Sequence, residues 1–172
     1  MSLASAEPAA LSATAIKRVV VGVDDSPGGL AALAAATRLA RARDAELVAV
    51  RAWTLGLPRH GGRRMRRLRH PHVILNFSGS EQNAASSVLV RRALRAVTGG
   101  MPVEVPLRIE TPQADPALAL TRTACRPGDV IVVGTRSGHP VQRLIHGSVS
   151  SYCWRHASCP VLVVPAAAAH AG

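Results

Sequence analysis

The sequence contains very few aromatic residues, which make up 2% of its 172 residues. A core without aromatics must be built from valine, leucine, isoleucine and alanine, and this favours a parallel sheet covered by helices. The three cysteines are too few and too irregularly spaced for a disulfide framework. No apolar run reaches the length of a membrane span, and the amino terminus lacks the basic segment of a signal peptide. We therefore expect one soluble, cytoplasmic domain, with no membrane partner.

Acidic residues are absent from Leu47 through Ser80, although the whole chain has a formal net charge of +11. Six arginines lie in the segment from Arg59 to Arg69, inside this stretch. A positive cluster of this density attracts phosphates, nucleic acid or anionic lipids. The pattern is also typical of a solvated insertion loop, which we place at residues 54–79. A nucleic-acid-associated protein that acts through this cluster remains an alternative function.

Apolar segments with strand character alternate with segments rich in alanine and leucine between residues 17 and 165. This alternation predicts an α/β fold: a doubly wound, five-stranded parallel sheet with helices on both faces, of Rossmann-like type. The predicted strands cover residues 18–24, 46–53, 103–109, 129–133 and 160–165. Ser26 is expected to cap the first helix with Pro27 in its first turn, and the run rich in alanine and leucine continues from Leu30 to Arg43. The other predicted helices cover residues 80–97, 115–125 with an aspartate cap, and 148–156. The second of these four helices is amphipathic, with Ala84, Ala85, Val88, Leu89 and Val97 near one face. Residues 1–16 are expected to form a disordered leader, and residues 166–172 a flexible tail.

A phosphate-binding device is predicted where the fourth strand ends. Gly134 and Gly147 bound the loop after this strand, and a helix is expected to begin at Ser148. Backbone N–H groups and the positive end of a helix bind phosphate, and glycine lets it approach the main chain closely. An ordinary helix start at this position is the structural alternative. No Gly-Lys-Ser/Thr sequence is present, which argues against a conventional nucleotide hydrolase.

The first strand predicts a second part of the same site. In an open parallel sheet, ligands bind beyond the carboxyl ends of the strands, where the strand order reverses. If the strands ending at Asp24 and Gly134 are neighbours, Asp24 faces the phosphate loop across one crevice. Its carboxylate could then bond a ribose, the edge of an adenine or a Mg²⁺ ion on the phosphates. A helix-capping or turn aspartate is the structural alternative.

These segments resemble the universal stress protein family over nearly all of residues 17–165. The segment Val20–Pro27 is similar to the family's first strand and turn, and the segment from Val132 to Pro165 is similar to its most distinctive stretch. The ATP-binding branch of the family carries the pattern G-x2-G-x9-G-[ST]. In this chain the first and third glycines are Gly134 and Gly147, whereas Ser137 replaces the middle one. Asp25 stands where the family commonly has a small residue, and it adds a negative charge near the expected phosphates.

The resemblance implies a regulatory protein of the stress response that binds ATP, with or without Mg²⁺. Such a protein is non-catalytic or at most a slow ATPase, so no catalytic residue and no metal site in the protein are expected. The resemblance also implies a homodimer formed through Val161–Val164, and an apolar edge strand independently favours such pairing. A nucleotide-free dimeric interaction module is the alternative, because Ser137 adds a Cβ in the phosphate loop. The implied binding residues are Val23, Asp24, Ala52, Gly134, Arg136, Ser137, Gly147, Ser148, Val149 and Ser150.

Overall fold

The computed structural model of the chain describes residues 15–54, 79–135 and 148–166. Its five strands form one parallel sheet in the order β3-β2-β1-β4-β5. This arrangement confirms the predicted doubly wound α/β fold. In chain order the elements are β1 (Arg18–Gly22), α1 (Pro27–Arg43), β2 (Glu46–Val50), α2 (Gly79–Thr98), β3 (Leu107–Glu110), α3 (Pro116–Thr123), β4 (Asp129–Gly134), α4 (Ser148–His156) and β5 (Val161–Val164).

The core consists of two apolar layers, one on each face of the sheet. Val19 and Val21 of β1 point towards α1 and α2, whereas Val20 between them points towards α3 and α4. This alternation follows from the two-residue period of a strand and explains why the central strands are apolar on both faces. The buried face of α1 consists mainly of alanines together with Leu33, and these small side chains let the helix pack closely on the sheet.

Two helices begin at the side chains that the sequence indicates. Ser26 caps α1, since its Oγ accepts a hydrogen bond from the backbone N–H of Gly29 at 3.0 Å, and Pro27 occupies the first turn. Asp115 caps α3 by accepting from the backbone N–H groups of Ala117 and Leu118, at 2.9 and 3.3 Å. α1 therefore begins at Pro27, as the predicted Ser26 cap requires, directly after the turn that contains Asp24.

The structure corrects three predicted details. β3 begins at Leu107 and not at residue 103, because Pro102 and Pro106 cannot donate a backbone N–H to a strand ladder. β2 ends at Val50, three residues before the predicted end. The predicted face of α2 is wrong at Val88, which is 64% exposed, although Val97 packs against the core. The residues that the helix buries are Ser86, Val90, Ala93 and Leu94. Because Ser86 is polar, the periodicity of apolar residues does not indicate this face.

Several predicted segments lie outside the described residues. These are nearly all of the leader, the insertion loop with its Arg59–Arg69 cluster and nearly all of the tail. Among the helices that the structure does describe, none is long and apolar enough to cross a membrane.

Candidate functional site

A cavity of about 430 Å³ opens at the carboxyl ends of β1, β2 and β4. β1 and β4 are hydrogen-bonded neighbours, as the predicted crevice requires, although the chain passes through β2 and β3 between them. The cavity thus lies where the strand order reverses, and its volume is that of a site for a small molecule. The first half of α2 and the starts of α3 and α4 complete its wall.

The structure brings together most of the described residues that the sequence assigns to the site. The lining includes Val23, Asp24, Ala52, Gly134, Val149 and Ser150. Arg136, Ser137 and Gly147 lie outside the described residues, and Ser148 is the first residue of α4. The side chain of Val23 is almost wholly buried and packs mainly in the core beneath α1. Ser150 and Thr135 are buried polar residues on the β4–α4 side of the cavity.

Asp24 forms the turn that the sequence analysis gave as the structural alternative, and it also lines the cavity. Its Oδ1 accepts hydrogen bonds from the backbone N–H of Ser26 at 3.1 Å and from the Ser26 hydroxyl at 2.5 Å. These bonds form the turn that leads into α1, and the exposed side chain also lines the mouth of the cavity. One carboxylate oxygen is therefore used by the turn, and Asp24 is held in place at the edge of the site.

Gly134 has a packing role that the sequence analysis did not predict. A Cβ at this position would collide with the carbonyl oxygen of Gly28 at 2.0 Å, and a Cβ on Gly28 would collide with that of Thr135 at 2.0 Å. The first turn of α1 thus packs main chain against main chain on the end of β4. This contact by itself requires glycine at position 134, whatever the cavity binds.

Sequence reasoning missed the wall formed by α2. The cavity is lined there by Gln82, Ala85, Ser86 and Leu89, which share one helical face at the spacing i, i+3, i+4 and i+7. The spacing could have revealed the face. However, the face is mixed in polarity, so the hydrophobic periodicity that locates a core does not single it out.

Trp53 was also missed, and it joins three elements beside the cavity. Its indole Nε1 donates to the side-chain oxygen of Asn83 at 2.8 Å and to the carbonyl oxygen of Thr111 at 2.9 Å. The backbone of Trp53 also pairs with that of Gln113 in a parallel bridge. The indole is thereby fixed with its polar edge satisfied, and it forms part of the cavity wall.

Arg51 supplies a positive group that the sequence analysis did not assign to the site. Its Nη2 lies 2.9 Å from Oδ2 of Asp25, and the two side chains are 19% and 65% exposed, respectively. The charge of Asp25, predicted to face the phosphates, is therefore paired with an arginine at the end of β2. Arg51 itself lines the cavity.

The cysteines of α4 and the following loop have the properties of structural residues. Cys153 is fully buried in the layer beneath α3 and α4, and this burial raises the pKa of its thiol to about 11. Burial likewise raises the pKa of Cys159. Neither thiol is poised to be a thiolate nucleophile. Within residues 15–54, 79–135 and 148–166, no three histidine, cysteine or acidic side chains are grouped to hold a metal ion.

Comparison with known proteins gives a family match and several structural relatives. The model of the universal stress protein family matches residues 15–165. A universal stress protein solved in complex with cAMP is 22% identical, with a TM-score of 0.58 over 88% of this chain and 98% of that one. Protein UspA from Lactobacillus plantarum is 21% identical, with a TM-score of 0.52 over 87% and 97%. A family member from Burkholderia pseudomallei is 25% identical, with a TM-score of 0.54 over 88% and 98%. No curated protein matches by sequence.

Proposed function

Because this chain belongs to the universal stress protein family, we propose that its cavity binds an adenine nucleotide, with ATP as the first candidate. The protein would then be a regulatory component of a stress response, in the cytoplasm, and not a dedicated enzyme. The observation that carries the proposal is the position of the cavity: it lies where the strand order reverses, between the start of α4 and an apolar wall. A relative of the same fold was solved in complex with cAMP, which supports an adenine nucleotide.

The β4–α4 side of the cavity suits the phosphates. Thr135 and Ser150 are buried polar residues on this side, and the positive end of α4 begins at Ser148. A helix start attracts a phosphate through its unpaired backbone N–H groups and its dipole. We propose that Gly147 and Ser148 contact the phosphates there, together with Arg136 and Ser137 of the preceding loop.

The opposite side of the cavity suits the base. Val50, Ala52 and the indole of Trp53 line it from the end of β2, and Leu89 lines it from α2. A flat purine fits between apolar and aromatic side chains of this kind. Val23 and Ala52 are the base contacts that we propose from the sequence, whereas Val149 and Ser150 are proposed to line the phosphate turn on the other side.

Asp24 is the proposed carboxylate contact at the mouth of the cavity. Asp25 is paired with Arg51, whereas Asp24 uses only Oδ1 for its described hydrogen bonds. Its second oxygen suits a ribose hydroxyl, or a Mg²⁺ ion that accompanies ATP. Asp24 is the one carboxylate among the described residues of the cavity wall, and because we assign it to ligand binding, we propose no catalytic residue.

We further propose a homodimer that pairs through β5. This strand lies at one edge of the described sheet, and Leu162 on it is 42% exposed. The end of β5 is close to the site, since the backbone N–H of the cavity residue Thr135 donates to the carbonyl oxygen of Val164 at 2.9 Å. This bond provides a short structural route by which nucleotide occupancy could affect dimer pairing.

Calorimetric titration with ATP and Mg²⁺ tests the proposal, with two neighbouring alanines of α2 as a matched pair. Ala85 lines the cavity and Ala84 does not, although both are exposed on the same helix. We expect micromolar binding by the wild type, retention in Ala84→Phe, and at least about tenfold weaker binding in Ala85→Phe, because the ring fills the cavity. Absence of heat at millimolar ATP, or equal binding by both variants, would overturn the proposal.

A further inference from the structure

We propose that Arg51 reads the base of the bound nucleotide, by donating an N–H to an acceptor atom of the ring or its carbonyl substituent. This inference rests on the proposed nucleotide binding and assigns one residue the choice between bases. Arg51 is a specificity residue in this account, and it takes no part in any reaction.

The first observation concerns the Nη1 atom of Arg51. It is shut off from solvent, and among the described residues no atom accepts a hydrogen bond from it. Buried guanidinium donors are normally satisfied, because an unmade hydrogen bond to a charged group is strongly unfavourable. An unsatisfied donor of this kind in a residue that lines a cavity points to an acceptor supplied by a ligand.

The second observation concerns the ion pair that holds the guanidinium. Arg51 contacts Asp25 through Nη2 alone, at 2.9 Å, and the Asp25 carboxylate is largely in water. A single contact to a solvated carboxylate restrains the side chain weakly, in contrast to a two-pronged pair. The guanidinium can therefore turn about its contact with Asp25 and present Nη1 to a molecule that enters the cavity. Asp25 is a positioning residue in this arrangement.

The third observation is the place of Arg51 in the cavity. It follows the last residue of β2 and precedes Ala52 and Trp53, on the apolar side. β1 lies between β2 and β4, so Arg51 is separated from the α4 end that suits phosphate by the width of a strand. Arg51 thus lies on the side of the cavity that we propose for the base.

The chemistry of the guanidinium determines what it distinguishes. Arginine only donates hydrogen bonds, so it favours base edges that carry acceptors and disfavours an amino group at the same position. Guanine and hypoxanthine offer a carbonyl oxygen beside a ring nitrogen, whereas adenine offers ring nitrogens beside an amino group. Arg51 can donate to a ring nitrogen of the proposed adenine, as it can to the carbonyl oxygen of the other two bases, so the ratio between the dissociation constants for these nucleotides should depend on Arg51.

The test compares dissociation constants for ATP, GTP and ITP, each with Mg²⁺, across four proteins. These are the wild type, Arg51→Met, Asp25→Asn and the control Arg108→Met, which removes a strand arginine paired with Glu110 outside the cavity. In Arg51→Met we expect affinity for the preferred nucleotide to fall about tenfold and the three constants to converge within about twofold. In Asp25→Asn the order of bases should persist with a smaller loss, and in Arg108→Met nothing should change.

Two results would overturn the inference, and they are distinguishable. If the wild type binds nucleotides but Arg51→Met leaves the ratios between bases unchanged, Arg51 does not read the base, while the proposed function stands. If the wild type binds none of the three nucleotides, the proposed function and this inference both fail. Thermal unfolding separates either outcome from misfolding. Arg51→Met removes one donor without a described partner and one ion pair to a largely exposed carboxylate, and it should leave the melting temperature within a few degrees of wild type.

Discussion

Two arginine–aspartate pairs lie at opposite ends of the sheet, and they differ in almost every respect. At the amino end, Arg18 meets Asp129 with two hydrogen bonds, Nε to Oδ1 at 2.8 Å and Nη2 to Oδ2 at 2.7 Å. The same Nη2 donates to the carbonyl oxygen of Thr123 at 2.9 Å, and the Arg126 backbone N–H donates to Asp129 at 2.8 Å. At the carboxyl end, Arg51 and Asp25 share one contact, and Nη1 has no partner among the described residues.

The Arg18–Asp129 pair is structural, whereas the Arg51–Asp25 pair lies beside the cavity. Arg18 and Asp129 begin the neighbouring strands β1 and β4, and their side chains are only 9% and 1% exposed. Burial at this level is tolerated because nearly every polar atom has a partner. The Arg51–Asp25 pair is left incomplete beside a cavity. The pair at the amino end therefore serves stability, whereas the pair at the carboxyl end lies beside the proposed binding site.

The largest expected effect is the loss of one member of the buried pair. Asp129→Ala leaves the buried Arg18 guanidinium without its carboxylate, and this should lower the free energy of unfolding by about 3–5 kcal/mol. Asp25→Ala breaks an exposed pair, and this should lower it by at most about 1 kcal/mol. Urea denaturation of the two variants measures both values. Equal losses would contradict the distinction between the two ends.

A smaller but substantial loss is expected where α1 touches the end of β4. Gly134→Ala places a methyl group on the backbone of Gly28, and the main chain must shift to relieve the collision. We expect the free energy of unfolding to fall by about 1–3 kcal/mol or more, since neither backbone can give way easily. Gly79→Ala is the control, because its nearest neighbour is a Trp53 side-chain atom at 3.9 Å. Its stability should match that of the wild type in the same denaturation experiment.

The buried pair should also set part of the acid stability. Burial alone raises the pKa of Asp129, but the hydrogen bonds from Arg18 and Arg126 and their positive charges outweigh it and lower that pKa. The unfolded chain therefore binds this proton at a higher pH than the folded one. The contribution of Asp129 is present above the ordinary carboxylate pKa of about 4 and is lost as the pH falls through its lower folded value.

The corresponding experiment follows thermal unfolding as the pH falls from neutrality to about 2. The wild type should lose stability in this acid range, and Asp129→Asn should be less stable at neutral pH and flatter in its acid dependence. A parallel decline in both proteins would show that other carboxylates control acid unfolding. Asp25→Asn, at the other end of the sheet, should follow the wild-type curve closely.

The smallest expected effect on stability is that of Arg51→Met. This change removes a partly satisfied guanidinium and leaves an exposed carboxylate in water, so the free energy of unfolding should change by about 0.5 kcal/mol or less. Denaturation of the ligand-free protein measures this value. A loss as large as that of Asp129→Ala would make Arg51 a structural residue and weaken its assignment to the site.

The fold was predictable because its signals are local and repeated. Continuous β-branched runs predicted the central strands, and Ser26 and Asp115 indicated the helix starts. The neighbouring position of β1 and β4 was a condition of the expected site, and the structure meets it. The buried face of α2 was not predictable in the same way, because Ser86 lies on this face while Val88 is exposed.

The site was predictable only in part, for a physical reason. Asp24, Ala52 and Gly134 stand in recognisable patterns at strand ends, and the structure places them on one cavity. The pairing of Arg51 with Asp25 joins residues 26 positions apart. Such a contact depends on how β1 and β2 lie side by side in the sheet, and it produces no periodic pattern in the sequence.

Photolabelling with azido-adenosine triphosphate, followed by peptide mapping, tests the central claim most directly, because it reports both binding and its place. We expect label on the strand-end and α2 segments that line the cavity, with Trp53 and Gln82 among the candidate positions. Unlabelled ATP should compete this label away, and Ala85→Phe should lose it while Ala84→Phe keeps it. Label confined to other segments, or label that ATP does not displace, would contradict nucleotide binding at the carboxyl end of the sheet.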